Sequence, residues 1–329
     1  MILLTHPPAA RELYYGARAL AALQALGPVR LNAGGALVGD ALVVAAAGCR
    51  VIVADRAVPA PGALFAALPG LVAFVRNAVD IRTVDVDGAS AAGVLVTQAS
   101  PGFVPAVAEL VVGLMVDLCR GVSVAAAHYR AGRQPPVRMG RQIAGSTVGI
   151  VGYGAIGRRL AGVLVAMDAD VLIHDPYAVT DGPEQVELHA LLGRADIVVC
   201  LAVATVETEN LMDAAAFGAM KQGALFINAS RGELVDDAAL ARALDEGRLG
   251  GAALDVGRAP DQMPPLVLAG RADVIATPHI GGLTREAAEH QAMETVAQTG
   301  CVLRGEVPAG AVNVAAAYRM REVWRGGDT

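Results

Sequence analysis

Three short stretches of this sequence hold residues whose types and spacing could carry out chemistry. In ATPHIGG (276–282), His279 follows Pro278, whose ring fixes its φ, and precedes Gly281 and Gly282, which let the backbone turn or approach a ligand closely. An imidazole held there can give a proton to a carbonyl oxygen and take it back. In FINASRGELVDD (226–237), Arg231 stands just beyond an apolar run, with Gly232 after it. A guanidinium so placed can clamp a carboxylate through two parallel N–H bonds and polarise a neighbouring carbonyl. In TVGIVGYGAIGRRLAG (147–162), Gly152, Gly154 and Gly157 form G-x-G-x-x-G. The first glycine permits a tight turn, the second lets a pyrophosphate approach the backbone, and the third lets helix and strand pack closely. Asp175 ends the next apolar run, VLIHD, 18 residues after Gly157. There it can bind the ribose hydroxyls of an adenosine and repel a 2′-phosphate, which favours NAD over NADP. Its neighbours His174 and Tyr177 offer no arginine to neutralise that phosphate.

Each stretch also has a plain structural reading: a buried histidine, a surface arginine, a glycine turn without a ligand. The elements around them decide between the two. From Thr147 onward, apolar runs alternate with helical patterns: STVGIVG, DADVLIHD, ADIVVCLAV, GALFINAS, GAALDV and ADVIATP read as strands, separated by helices such as AIGRRLAGVLVAM and DDAALARALDEG. Such alternation predicts a doubly wound parallel sheet, whose ligands gather at the carboxyl ends of the strands. The glycine turn, Arg231 and His279 each follow a strand, so all three belong on one rim.

The first 98 residues alternate in the same way. Strands are expected at 2–5, 71–75 and 93–97, strands or buried segments at 42–46 and 51–55, and one amphipathic helix over 9–26. A long helix is expected from Pro105 to Arg130, and a final one at 284–304 could return to the first domain. This pattern reads as two domains, 1–98 and 99–284, with 285–329 free to join the first.

Composition narrows the function classes. The chain has 329 residues, 54% hydrophobic and 18% charged, enough apolar matter for two cores. The net charge of −6 and a single lysine, Lys221, argue against a nucleic-acid partner. Cys49, Cys119, Cys200 and Cys301 are scattered, without CxxC or zinc spacing, which suggests free thiols in a reducing cytoplasm and no metal site. The first residues, MILLTHPPAARELYY, lack the charged and apolar regions of a signal peptide. The apolar run at 105–118 is interrupted by Glu109 and Asp117, too short and polar to cross a bilayer.

Taken together, VDVDGASAAGVLVTQASPG, AVAEL, VGIVGYGAIGRRLA, MKQGALFINASRGELVD, GAALDV and TPHIGG resemble the D-isomer-specific 2-hydroxyacid dehydrogenase family, which includes phosphoglycerate, glyoxylate/hydroxypyruvate and D-lactate enzymes. The resemblance implies two Rossmann-like domains, a discontinuous substrate-binding domain of 1–98 with 285–329 and an NAD-binding domain of 99–284, with the active site in the cleft between them and a homodimer formed through the 105–130 region; charge and hydropathy argue against a nucleic-acid or membrane partner. It implies an NAD-dependent oxidoreductase acting on a small 2-hydroxy or 2-oxo acid, with Arg231 binding the carboxylate and His279 as acid/base. It assigns the cofactor to Gly152, Tyr153, Gly154, Ala155, Ile156, Gly157, Asp175, Ser230, Asp255 and Gly281, with Asp255 on the nicotinamide carboxamide. It assigns substrate contacts to Arg76, Asn77 and Ala78 alongside Arg231.

Two stretches depart from the family pattern. Where a glutamate and proline normally follow the LDV aspartate, this chain has Ala259 and Pro260, with Asp261 adjacent. A histidine without a carboxylate partner titrates lower, so carbonyl reduction is expected to weaken above about pH 7. The substrate loop, VRNAVDIRTVD (75–85), has Ala78 and Asp80 near the usual glycines. Its Arg76, Asn77 and Arg82 suit a more anionic or hydroxylated substrate, or Asp80 and Arg82 simply pair with each other. Two other functions fit the same fold: a non-catalytic NAD(H)-binding regulator, and oxidation of formate or phosphite.

Overall fold

The computed structural model describes residues 1–320, apart from Asp181 and Pro260. They fall into two compact units: Met1–Gly102 with the chain from Thr284 onward, and Phe103–Leu283.

In the first unit, β1 (Ile2–Leu4), α1 (Pro8–Tyr14), α2 (Gly16–Ala25), β2 (Val29–Leu31), α3 (Gly39–Ala46), β3 (Val51–Ala54), α4 (Gly62–Ala67), β4 (Ala73–Arg76), α5 (Val86–Ala91) and β5 (Leu95–Thr97) build a parallel sheet of order β2-β1-β3-β4-β5. Its inner strands are apolar up to Arg76, the last residue of β4, because both faces are covered. Side chains alternate between the faces: Ile52, Ala54 and Phe74 enter one core, Val51, Val53, Ala73 and Val75 the other.

Three expectations change. The helix expected over 9–26 is two helices, parted at Tyr15 where the second begins with Gly16, whose φ of 79° is the left-handed conformation that glycine tolerates best. The long helix at 105–130 is likewise two, α6 (Val104–Arg120) and α7 (Val122–Arg130), bent by 71° at Gly121, which has φ 68°. Residues 42–46 close a helix instead of forming a strand. In α3 only Leu42 and Ala46 are buried, and their four-residue spacing puts them on one helical face.

The second unit continues with β6 (Thr147–Val151), α8 (Ala155–Ala166), β7 (Asp170–His174), β8 (Glu184–Gln185), α9 (Leu188–Arg194), β9 (Ile197–Cys200), α10 (Ala214–Ala219), β10 (Ala224–Asn228), α11 (Asp237–Asp245), β11 (Leu249–Leu254), α12 (Leu266–Ala269) and β12 (Val274–Ala276). Its seven strands are all parallel, in the order β12-β11-β10-β9-β6-β7-β8. The order reverses between β6 and β9, the switch point where open α/β sheets leave a crevice at their carboxyl ends. The apolar face of α6 packs into the core under β6 and β10. Finally α13 (Arg285–Arg304) returns to the first unit, where Ala292 and Val296 join the core of β1, β3 and β4. Among the described residues no single helix is long and apolar enough to cross a membrane.

A polar cluster lies beneath the carboxyl ends of β1, β3 and β4. His6 is fully buried, with Nε2 3.1 Å from Asn77 Nδ2 and 3.5 Å from Asp55 Oδ2. Burial lowers its pKa from 6.5 to about 4, against Asp55, which raises it, and with Arg11, which lowers it further. Neutral His6 therefore contributes stability that is fully present above pH 6.5 and is lost as pH falls toward 4. Between those values the unfolded chain binds a proton that the native chain does not, a loss of up to about 3 kcal/mol. Urea unfolding at neutral pH and near pH ~4.5 should show a smaller acid-induced loss in a His6→Gln variant than in the wild type. Equal losses would assign the acid sensitivity to other groups.

Candidate active site

The second sheet presents five adjacent strand ends, following β6, β9, β10, β11 and β12. The loops that leave them are joined to one another.

After β6 comes the glycine turn. Gly152 has φ 102°, and a Cβ there would lie 2.5 Å from Ala202 N, in the loop after β9. A Cβ on Gly157 would lie 2.3 Å from Gly152 O. These two glycines are required by the fold itself. Gly154 is different: its backbone is extended, it is exposed, and a Cβ would meet nothing within 4 Å. No internal contact demands glycine there, whereas close approach of a ligand does. The turn opens α8, whose N-terminus has no side-chain cap, so N–H donors and the positive end of the helix dipole face outward with Ala155 exposed and Ile156 half-buried. These features fit a dinucleotide pyrophosphate.

Asp175, at the end of β7, anchors the same turn. Its Oδ2 accepts the Tyr153 N–H at 2.7 Å, and its Oδ1 accepts those of Tyr177 and Ala178. Burial alone would raise the carboxyl pKa. The three N–H groups, with His174 nearby, outweigh it and hold Asp175 below the ordinary aspartate range, so it is anionic at neutral pH. A hollow of about 470 Å³ adjoins it, lined by His174, Asp175, Pro176, Gln185, Val186 and Glu187. The Tyr153 ring is buried, with the Arg158 guanidinium 4.4 Å from its centroid, so this residue meets the site through its backbone.

Arg231 follows β10 in a turn held by a residue that the sequence analysis did not single out. Buried Asn228 accepts the Ser230 N–H through Oδ1 and donates through Nδ2 to Arg231 O at 2.9 Å. Asparagine two residues before a serine, at a strand end, was the available signal for this turn. Ser230 donates its hydroxyl to Ala202 O, tying the loops after β9 and β10 together. The half-buried Arg231 donates from Nη1 to Ser230 O.

His279 follows β12 and is half-buried, with φ 55°, a conformation uncommon for any residue but glycine. Its N–H donates to Thr277 O. Asp255, 2% exposed at the end of β11, holds both flanks of this residue. Oδ1 accepts from Thr277 Oγ1 at 2.6 Å and Ile280 N at 2.8 Å, and Oδ2 accepts from Gly281 N at 2.8 Å. A Cβ on Gly281 would lie 2.9 Å from Asp255 Oδ2, which explains the glycine. Asp255 N in turn donates to Asn228 O, linking the His279 turn to the Arg231 turn. Within the structure, then, Asp255 and Gly281 are scaffold for the histidine loop. Thr277, their partner, was not among the expected residues.

The loop of the first unit that was expected to meet the substrate corrects one expectation. Arg76 shares strand parity with Phe74, and its guanidinium turns inward, 5.4 Å from the Phe74 ring. It is fully buried and donates to Asp55 O, Val58 O and Thr83 Oγ1. Burial lowers its pKa to about 10, opposed by Asp55 and Asp80, so it stays charged at neutral pH as an internal cross-link, with no exposed surface for a substrate. Asn77 is also buried and directs Nδ2 to His6 and to Tyr14 O; the Ala78 side chain is buried too. Of the two readings of Asp80 and Arg82, the structure contains their ion pair, with Nη2 to Oδ2 at 2.7 Å. Asp261 is exposed and accepts the Met263 N–H, while Pro260 lies outside the described residues.

Residues 112–281 match the family model described as D-isomer specific 2-hydroxyacid dehydrogenase, NAD binding domain. Over 290 residues, 86% of this chain and 55% of the relative, the sequence is 34% identical to a D-3-phosphoglycerate dehydrogenase of Mycobacterium bovis; it thus spans about half the length of that relative. Over 262 residues, 78% of this chain and 85% of the relative, it is 35% identical to an (S)-sulfolactate dehydrogenase of Chromohalobacter salexigens. Among solved structures, the TT0316 protein from Thermus thermophilus superposes with a TM-score of 0.84 at 30% identity, covering 95% of this chain and all of that one.

Proposed function

Because this chain belongs to the D-isomer specific 2-hydroxyacid dehydrogenase family and carries its NAD binding domain, we propose that it interconverts a small 2-oxo acid and the corresponding 2-hydroxy acid. The observation that carries this reading is the row of linked strand ends, where an exposed, sterically unconstrained Gly154, the Arg231 turn and the His279 turn share one rim. When bound, the nicotinamide cofactor supplies the hydride for reduction or accepts it in oxidation. Gly154 and the N-terminus of α8 would hold its pyrophosphate, and anionic Asp175 its adenosine ribose, which disfavours a 2′-phosphate. Arg231 binds the substrate carboxylate and orients the adjacent carbonyl. His279 donates a proton to the carbonyl oxygen during reduction and removes it from the hydroxyl in the reverse direction, so one hydride and one proton are transferred per turnover.

A spectrophotometric panel tests this. NADH with glyoxylate, hydroxypyruvate, pyruvate, oxaloacetate or a longer 2-oxo acid should be consumed with at least one of them, and NADPH should serve less well. Tight NADH binding without turnover of any acid would overturn the dehydrogenase reading in favour of a regulator. Equal use of NADPH would remove the role given to Asp175.

A further inference from the structure

The turn that begins at Arg231 is gripped from outside by one side chain. The short 3-10 turn Gly232–Leu234 lies against the segment after β11, so closely that a Cβ on Gly232 would fall 2.1 Å from Gly257 C and 2.3 Å from Arg258 N. From that segment the Arg258 guanidinium reaches over the turn. Nε and Nη2 both donate to Val235 O, at 3.1 and 2.9 Å, and Nη2 donates to Glu233 O at 2.8 Å. Nη2 also donates to Asn210 Oδ1, and Nη1 pairs with Glu209 at 3.2 Å. Asn210 is itself held in the left-handed region, at φ 52°, and its N–H donates to Glu233 O. A single planar cation therefore joins three loops: the one after β9, the one after β10 and the one after β11.

We infer that Arg258 is a positioning residue for Arg231: by fixing the carbonyls of the turn that Arg231 opens, it sets where the Arg231 guanidinium meets a substrate carboxylate. This rests on the dehydrogenase reading above and adds to it a residue that need not touch substrate. Lysine cannot replace arginine here, because one ammonium group cannot span carbonyls and side-chain acceptors in a fixed planar fork. With Arg258 gone, Glu233 O keeps its Asn210 partner, but Val235 O loses both of its guanidinium donors, and the turn gains freedom directly beside Arg231.

The test compares wild type, Arg258→Ala and Arg258→Lys in the assay with the best 2-oxo acid of the panel, alongside NADH binding by fluorescence. Misplacing a carboxylate clamp should lower kcat/KM for the oxo acid by about 10- to 100-fold, mainly through KM, while the NADH dissociation constant stays within about threefold. Arg258→Lys should fall between the other two proteins; if the alanine variant does not fold, the lysine variant is read alone for the same split. An unchanged KM for the oxo acid overturns the inference. So does a loss that falls equally on NADH binding, which would make Arg258 a general structural residue. A wild type inactive with every acid would instead remove the functional reading on which the inference rests, a result distinct from either variant outcome.

Discussion

Replacing His279 with alanine should abolish turnover while leaving NADH bound. The expected fall in kcat for reduction is about 10³-fold, within the range for removal of a positioned general acid. The substitution removes the imidazole and leaves in place the Asp255 contacts to the hydroxyl of Thr277 and the backbone of Ile280 and Gly281. His279→Gln provides a companion: it retains hydrogen-bonding capacity but cannot shuttle a proton, so it should be nearly as slow. The pH profile adds a second reading. Reduction consumes a proton, so the wild-type rate should fall as the histidine becomes neutral, and the residual rate of the alanine variant should lack that limb. Near wild-type turnover in His279→Ala would show that another group supplies the proton.

Replacing Arg231 with alanine should act on the other half of the reaction. A carboxylate held by two charge-assisted N–H bonds loses its anchor and its orientation together, and kcat/KM for the oxo acid should fall roughly 10³-fold, about 4 kcal/mol of transition-state stabilisation. Arg231→Lys keeps the charge but not the fork and should recover only part of the loss. Binding of NADH should change little, since Gly152, Gly157 and Asp175 shape the glycine turn. If Arg231→Ala kept the wild-type KM and kcat, the carboxylate would have to be bound elsewhere. The two substitutions are also distinguishable from each other: the histidine variant should still bind the oxo acid, whereas the arginine variant should not.

The strands of both sheets were legible wherever a β-branched apolar run ended at a glycine, proline or polar residue, because buried parallel strands must be apolar on both faces. Helix continuity was less legible. A single glycine in the left-handed conformation, Gly16 or Gly121, divides a helix that the hydrophobic pattern alone would continue. Arg76 is instructive in another way. Counting alternate residues from Phe74 puts it on the face that enters the same core, whereas the resemblance assigned it to the substrate. The structure resolves the conflict by giving the guanidinium two main-chain carbonyls and a threonine hydroxyl.

By itself the sequence determined which residues emerge at strand ends: Gly152, Asp175, Arg231, Asp255 and His279 each follow an apolar run, and local pattern is sufficient to say so. Only the tertiary structure decided how those ends are held. That Asp255 grips the loop of His279, that Asn228 shapes the turn of Arg231, and that Arg258 spans three loops all depend on strand order and register, which bring side chains distant along the chain within hydrogen-bonding distance. Periodicity reports which face of an element is buried. It carries no information about which loop lies beside which, and at this site the side chains are held by contacts between loops.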